Sequence, residues 1–173
     1  MKTQEIAELK RIFLSRLDTL SHLLDVGDKH LPDFNTALQE RLAPDMLPLG
    51  AQIAFACNQP RGFSQWCAGR PIENLSPEAD SMELARSHIS QTKELVSSID
   101  SGDDKLDETK RIGLGPGRYC ELPARQYASD YLLPNLYFHV TTTYAILRKL
   151  GVPVGKSDFM SFLAPYVRTE GNA

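Results

Sequence analysis

Apolar residues Ile6, Leu9, Phe13, Leu17, Leu20 and Leu24 recur every three or four positions, while Glu5, Lys10, Arg16 and Asp18 take other faces. That period lays one apolar stripe along a helix over residues 4 to 26. Gly27 is placed to end it, and Pro32 follows shortly after. His22 falls nearly opposite the stripe and His30 in the connection, so both are expected at the surface. A second helix is predicted from Asp45, as N-cap, to Pro60, with Pro48 tolerated in the first turn. Met46, Leu49, Gly50, Ile53 and Cys57 share its stripe. Gly50, Ala51, Ala54 and Ala56 are small enough to admit a neighbouring helix. Beyond Pro60, "RGFSQW" reads as another turn or a kinked extension.

From Gly69 to Pro77 the pattern lapses into a loop. The third helix begins at Asp80 or Ser81 and ends near Ile99, with Leu84, Ala85, Ile89, Leu95, Val96 and Ile99 inward and Glu83 favourably placed near its start. Polar, glycine-rich residues then run from Asp100 to Tyr127. That length predicts a short strand pair or a lid-like excursion. Its "GLGPG", Gly113 to Gly117, lacks the strand and helix that a dinucleotide loop requires. The fourth helix spans Leu132 to Leu150, with Leu136, Val140, Thr143, Tyr144 and Leu147 inward and His139 at the flank of the stripe. Gly151 is positioned to end it. A turn and a short helix from Ser157 follow, with Phe159, Phe162, Leu163 and Tyr166 covering one end and Lys156 fixing the tail or pairing with Asp158. Four amphipathic segments and no convincing strand alternation predict one all-α domain over residues 1–173, a four-helix bundle with a long connection before the last long helix.

At 173 residues, folding buries roughly 70% of the unfolded surface, enough for a core without disulfides. The net charge of −3 and scattered basic residues argue against a nucleic-acid partner. No stretch approaches the ~20 apolar residues of a membrane span, and the charged N-terminus does not read as a signal peptide. Cys57, Cys67 and Cys120 have no zinc spacing. An odd count fits a reducing compartment, and the expected location is the cytoplasm. Cys57 is expected to be a small buried hydrophobe.

Two stretches, "LAPDMLPLGAQIAFA" (Leu42 to Ala56) and "LPNLYFHVTTTYAILRKLGVPVGKSDF" (Leu133 to Phe159), carry more information. They resemble a bacterial and fungal domain family of unassigned function within the DinB/YfiT-like superfamily of helical bundles. The resemblance implies an up-down-down-up bundle, often dimeric, with a pocket at one end. It also implies a divalent metal held by three histidines, one on the second helix and two at i and i+4 on the fourth. Three neutral imidazoles leave an open position where a bound thiol or water loses its proton near neutral pH. This sequence keeps only His139 of that set. Thr143 stands four residues on, the second helix has no histidine, and a threonine hydroxyl is a poor ligand for such ions.

Three readings follow. In the first, the bundle has lost the metal site and binds a small molecule or a partner, with His139 in a polar niche beside Gln52, Asp45, Thr142 or Thr143, and Tyr137 or Tyr144. In the second it is an enzyme, a thiol transferase or hydrolase. There His139 serves either as a general base oriented by Asp45 or Gln52, or as a metal ligand with His88 and a carboxylate. His88 lies on an apolar stripe, where a histidine is more often a hydrogen-bonded core residue. The third is a homodimer pairing through apolar residues left over on the first and fourth helices, including Leu14 and Phe138. Arg61 and Trp66 are further candidates for a pocket rim.

Overall fold

A computed structural model describes residues 4–170. Its long helices are α1 (Glu5–His30), α2 (Leu49–Cys67), α3 (Met82–Ser97) and α4 (Leu133–Lys149). Named contacts fix their directions. Asp25 pairs with Arg86, Asp18 with Lys93, and Lys10 donates to Ile99 O, so α1 and α3 run antiparallel. Gly50 abuts Ala79 and Gln65 lies beside Ser98, which makes α2 and α3 parallel. Gln52 meets His139 while Gln59 faces Asn135 and Tyr131, so α2 and α4 are antiparallel. The result is an up-down-down-up, all-α four-helix bundle.

Parallel neighbours need a connection that travels back the full length of a helix. Nineteen residues of α2 span about 28 Å, and the segment after α2 covers that distance pinned to it. Gln65 Oε1 accepts the Glu73 amide, Arg61 Nε donates to Glu73 O, and Asn58 Oδ1 accepts the Leu75 amide. At the far end a Cβ on Gly50 would lie 2.2 Å from Ala79 O. Gly50 therefore admits the backbone of this returning strap rather than a helix.

The core follows the predicted stripes. Phe13, Leu17, Leu20 and Leu24 of α1 meet Ile53, Cys57 and Phe63 of α2, Ala85, Ile89 and Val96 of α3, and Leu136, Val140 and Leu147 of α4. Each large side chain so buried contributes ~1.5–3 kcal/mol. Ser81 caps α3 by accepting the Leu84 amide, and Gly151 adopts a positive φ just past α4. Leu14, expected on a free face, is partly buried against the core, whereas Phe138 is 54% exposed.

Several boundaries differ from the sequence expectation. Helix α1 does not end at Gly27; it continues to His30, and Phe34 and Leu147 occupy the space a side chain at Gly27 would fill. Asp45 does not cap α2. The first amides of that helix bond Glu40 O and Leu38 O, and the helix starts at Leu49, leaving Asp45 exposed in the preceding turn. Pro60 does not stop α2, whose flanks are held by both α3 and α4. Ser64 Oγ donates to the Pro60 carbonyl one turn on. At the tail, Asp158 accepts from His22 Nε2 and from the Gly155 amide and is not paired with Lys156. His22 is thereby tied to the tail rather than free. Phe159 packs on Tyr144 and Phe162 lies under the Arg16 guanidinium, while Leu163 and Tyr166 stay exposed.

The long connection holds an antiparallel hairpin, β1 (Thr109–Gly113) and β2 (Tyr119–Pro123), turning at Gly115 and Gly117, both at positive φ. The strand pair expected there is present, and "GLGPG" is its turn. A π-helical stretch, Tyr127–Leu132, leads without a break into α4; nothing in the hydrophobic period announced it. Among the described residues no helix is long and apolar enough to cross a membrane.

Candidate functional site

Positions 52, 55, 59 and 62 fall on the side of α2 that faces α4, and the site grows from there. Gln52 is buried and spans two partners. Its Nε2 donates to Leu47 O at 3.1 Å, which leaves Oε1 facing His139 Nδ1 at 2.8 Å. An amide oxygen accepts, so Nδ1 carries the proton and Nε2 keeps its lone pair. No group among the described residues bonds Nε2. Phe55 and Phe138 pack edge-on against the imidazole, with centroids 5.5 and 5.2 Å away. Burial pushes the ring's pKa down from 6.5 to about 4, so His139 is neutral at pH 7 with a fixed tautomer.

His139 stands at one end of a cleft of about 400 Å³. α2 contributes Phe55, Asn58 and Gln59, the strap Ile72 and Asn74, α4 Asn135, and the π-helical stretch Tyr127 and Tyr131. The fourth wall is β1, through Lys110, Arg111 and Ile112. Alternation along the strand turns Lys110 and Ile112 toward the bundle. Lys110 Nζ lies 5.9 Å from the ring centroids of both Trp66 and Tyr127. Its pKa is lowered, by burial first and by the Lys105 ammonium second.

The other sequence candidates distribute as follows. Thr143 lies one turn along α4 from His139, fully buried, with Oγ1 unbonded among the described residues. Thr142 donates back to Phe138 O. Tyr144 faces the tail through Phe159, and Tyr137 lies near Arg16. Neither they nor Asp45 line the cleft. His88 is buried on α3 and its pKa is lowered by burial and then by Arg61. Arg61 lies nine residues from Gln52, half a helical turn around α2, so His88 and His139 stand on opposite sides of that helix. Their shared metal site is not assembled. Arg61 borders a second groove of about 570 Å³ between α2 and α3, where its guanidinium is used to hold the strap. Trp66 packs between Phe63 and Tyr127.

Sequence reasoning missed Lys110, Asn58, Asn135, Tyr127 and Tyr131. The alternation in "TKRIG" places Lys110 and Ile112 on one face, but only the docking of the hairpin shows what that face meets.

The family described as Domain of unknown function (DUF1993) matches residues 9–160. The chain belongs to that family. Among solved structures the DUF1993 chain is similar to a DinB family member protein from Shewanella denitrificans, with a TM-score of 0.75 and 27% identity over 87% of this chain and 88% of the other. No curated protein matches the sequence. DUF1993 here thus has a DinB-like fold, and the family's donor set can be tested against its residues. The position on α2 that faces His139 is an amide already committed to Nδ1, and the i+4 position on α4 is a threonine. No three His, Cys, Asp or Glu side chains among the described residues could together hold a metal. These residues do not fit a three-histidine ion, and no chemical step is derived through one.

Proposed function

We propose that this DUF1993 protein is a ligand-binding bundle that has lost the three-histidine metal site of its superfamily and takes a small organic molecule in the cleft beside His139. The observation that carries this is the Leu47–Gln52–His139 relay. An oriented amide fixes the imidazole as a neutral acceptor whose Nε2 has no protein donor among the described residues. A ligand hydroxyl or amine donating to that lone pair would contribute ~0.5–1.5 kcal/mol net. Amide side chains and aromatic walls supply the mix of polar and apolar groups that small-molecule sites use.

The same lone pair favours a second reading, a hydrolase or thiol transferase with His139 as general base, because a neutral imidazole is ready to take a proton at pH 7. Self-association through the face carrying Phe138, and a cytoplasmic setting for three free cysteines, complete the proposal. Light scattering coupled to size exclusion checks the first of these. The deciding experiment is elemental analysis of untagged protein purified without chelator, before and after incubation with zinc, nickel and iron. The expected result is less than stoichiometric metal in both wild type and His139→Ala. Near-stoichiometric metal that disappears in His139→Ala overturns the proposal and favours a metalloenzyme.

A further inference from the structure

We infer that the cleft selects small carboxylates, with the carboxylate meeting Lys110, an apolar body lying between Phe55, Ile72 and Tyr131, and a donor at the other end meeting His139 Nε2. This deepens the binding reading above and rests on it.

The charge around the cleft is the first argument. The chain has a net charge of −3, yet the residues lining this cleft include two cations, Lys110 and Arg111, and no carboxylate. Ion pairing is otherwise common here: Lys93 pairs with Asp18, Arg86 with Asp25, Lys105 with Glu108, and Arg125 with Glu5 and Asp107. Lys110 makes no ion pair or hydrogen bond among the described residues. It is half-buried, held on the inward face of β1, and lies over the faces of Trp66 and Tyr127.

A cation withdrawn from water without a counter-charge is a cost to the fold unless something compensates it. The nearby Lys105 ammonium makes that cost larger, and a bound anion makes it smaller. Arg111, on the alternate side of the strand, is stacked on Tyr119 at 3.5 Å, so one ammonium faces the cleft unencumbered. A single free ammonium suits the single charge of a carboxylate better than a phosphate dianion. At the opposite end the neutral imidazole accepts and does not donate, which rejects a second anion there and selects a hydroxyl or amine.

The test is an amide-resolved NMR titration of the full chain at fixed ionic strength with 4-hydroxybenzoate, 4-hydroxybenzamide and benzoate. The expected result is saturable shifts around Lys110, Asn58 and His139, with 4-hydroxybenzoate bound at least tenfold more tightly than its neutral amide. Lys110→Met should erase that preference, so that carboxylate and amide bind this variant alike, and Lys110→Arg should keep it. The spectra themselves show that the variants fold. Equal binding of carboxylate and amide in the cleft overturns the anion selectivity and leaves the binding cleft standing. No saturable cleft response to any of the three overturns both, as do shifts scattered over surface lysines without saturation.

Discussion

Protonating His139 should cost this protein stability, and the size of the effect follows from its surroundings. The unfolded chain binds the proton at about 6.5, whereas the folded ring holds its pKa near about 4 through burial. Between those values the unfolded state carries more protons, so stability is fully present above pH 6.5 and declines as pH falls toward 4. The full shift amounts to about 2 kcal/mol between pH 7 and pH 5. The imidazole borders an open cleft that water reaches, and screening reduces this by about half, to ~1 kcal/mol. For a domain of this size that is a Tm change of about 2–4 °C. Urea melts of wild type and His139→Gln at pH 7 and pH 5 isolate the effect, because every other ionisable group is common to both proteins and cancels. Wild type should lose ~1 kcal/mol more than the variant over that interval. A ring that titrates near 6.5 by NMR, or identical pH dependence of the two proteins, refutes the fixed neutral imidazole on which the site is built.

Other outcomes test the fold that positions it. Gly50→Ala puts a methyl 2.2 Å from Ala79 O and should destabilise by about 1–2 kcal/mol after the helix-propensity gain. Gly62→Ala meets only Ile72 Cγ2 at 3.5 Å and should stabilise by ~0.5–1 kcal/mol; equal effects in thermal melts would contradict the strap geometry. Asp103 accepts the amides of Glu5 and Ile6 at 3.1 and 2.9 Å, so Asp103→Ala should cost ~0.5–2 kcal/mol and speed hydrogen exchange at those two amides. Cys57 is fully buried with its thiol pushed up to about 12, and Cys67 is pushed up to about 11. A disulfide reagent should therefore label the half-buried Cys120 first, and Cys57 labelled as fast as Cys120 in native protein counts against this packing.

What the chain discloses depends on how local the cause is. The stripes of α1, α3 and α4 are local, as are the Ser81 cap and the Gly151 stop, and each was readable from spacing. Gly27 reads as a terminator because a glycine looks the same whether it ends a helix or admits Phe34; only the neighbour decides. Asp45 loses its capping role to the carbonyls of Leu38 and Glu40, backbone acceptors that have no side-chain signature. Pro60 stays helical because α3 and α4 grip the segment from both sides. Of the site, His139 emerged from a family resemblance and Gln52 from its place on the facing helix. Lys110 could not emerge, since its meaning lies in a hairpin folding over a cleft whose other walls come from α2, the strap, the π-helical stretch and α4.

The cap that Asp103 places on α1 also sets an order of events at the ribosome. The helix it completes is synthesised first, but the carboxylate arrives 97 residues after Ile6, and α4 later still. At ~5–20 residues per second the cap alone arrives roughly 5–20 s after Ile6, and the N-terminal stripe of leucines waits longer still for α4. A lone amphipathic helix is marginal in water, so for that interval the nascent chain is a natural client for a holding chaperone, and its commitment to the native bundle comes late, when α4 emerges.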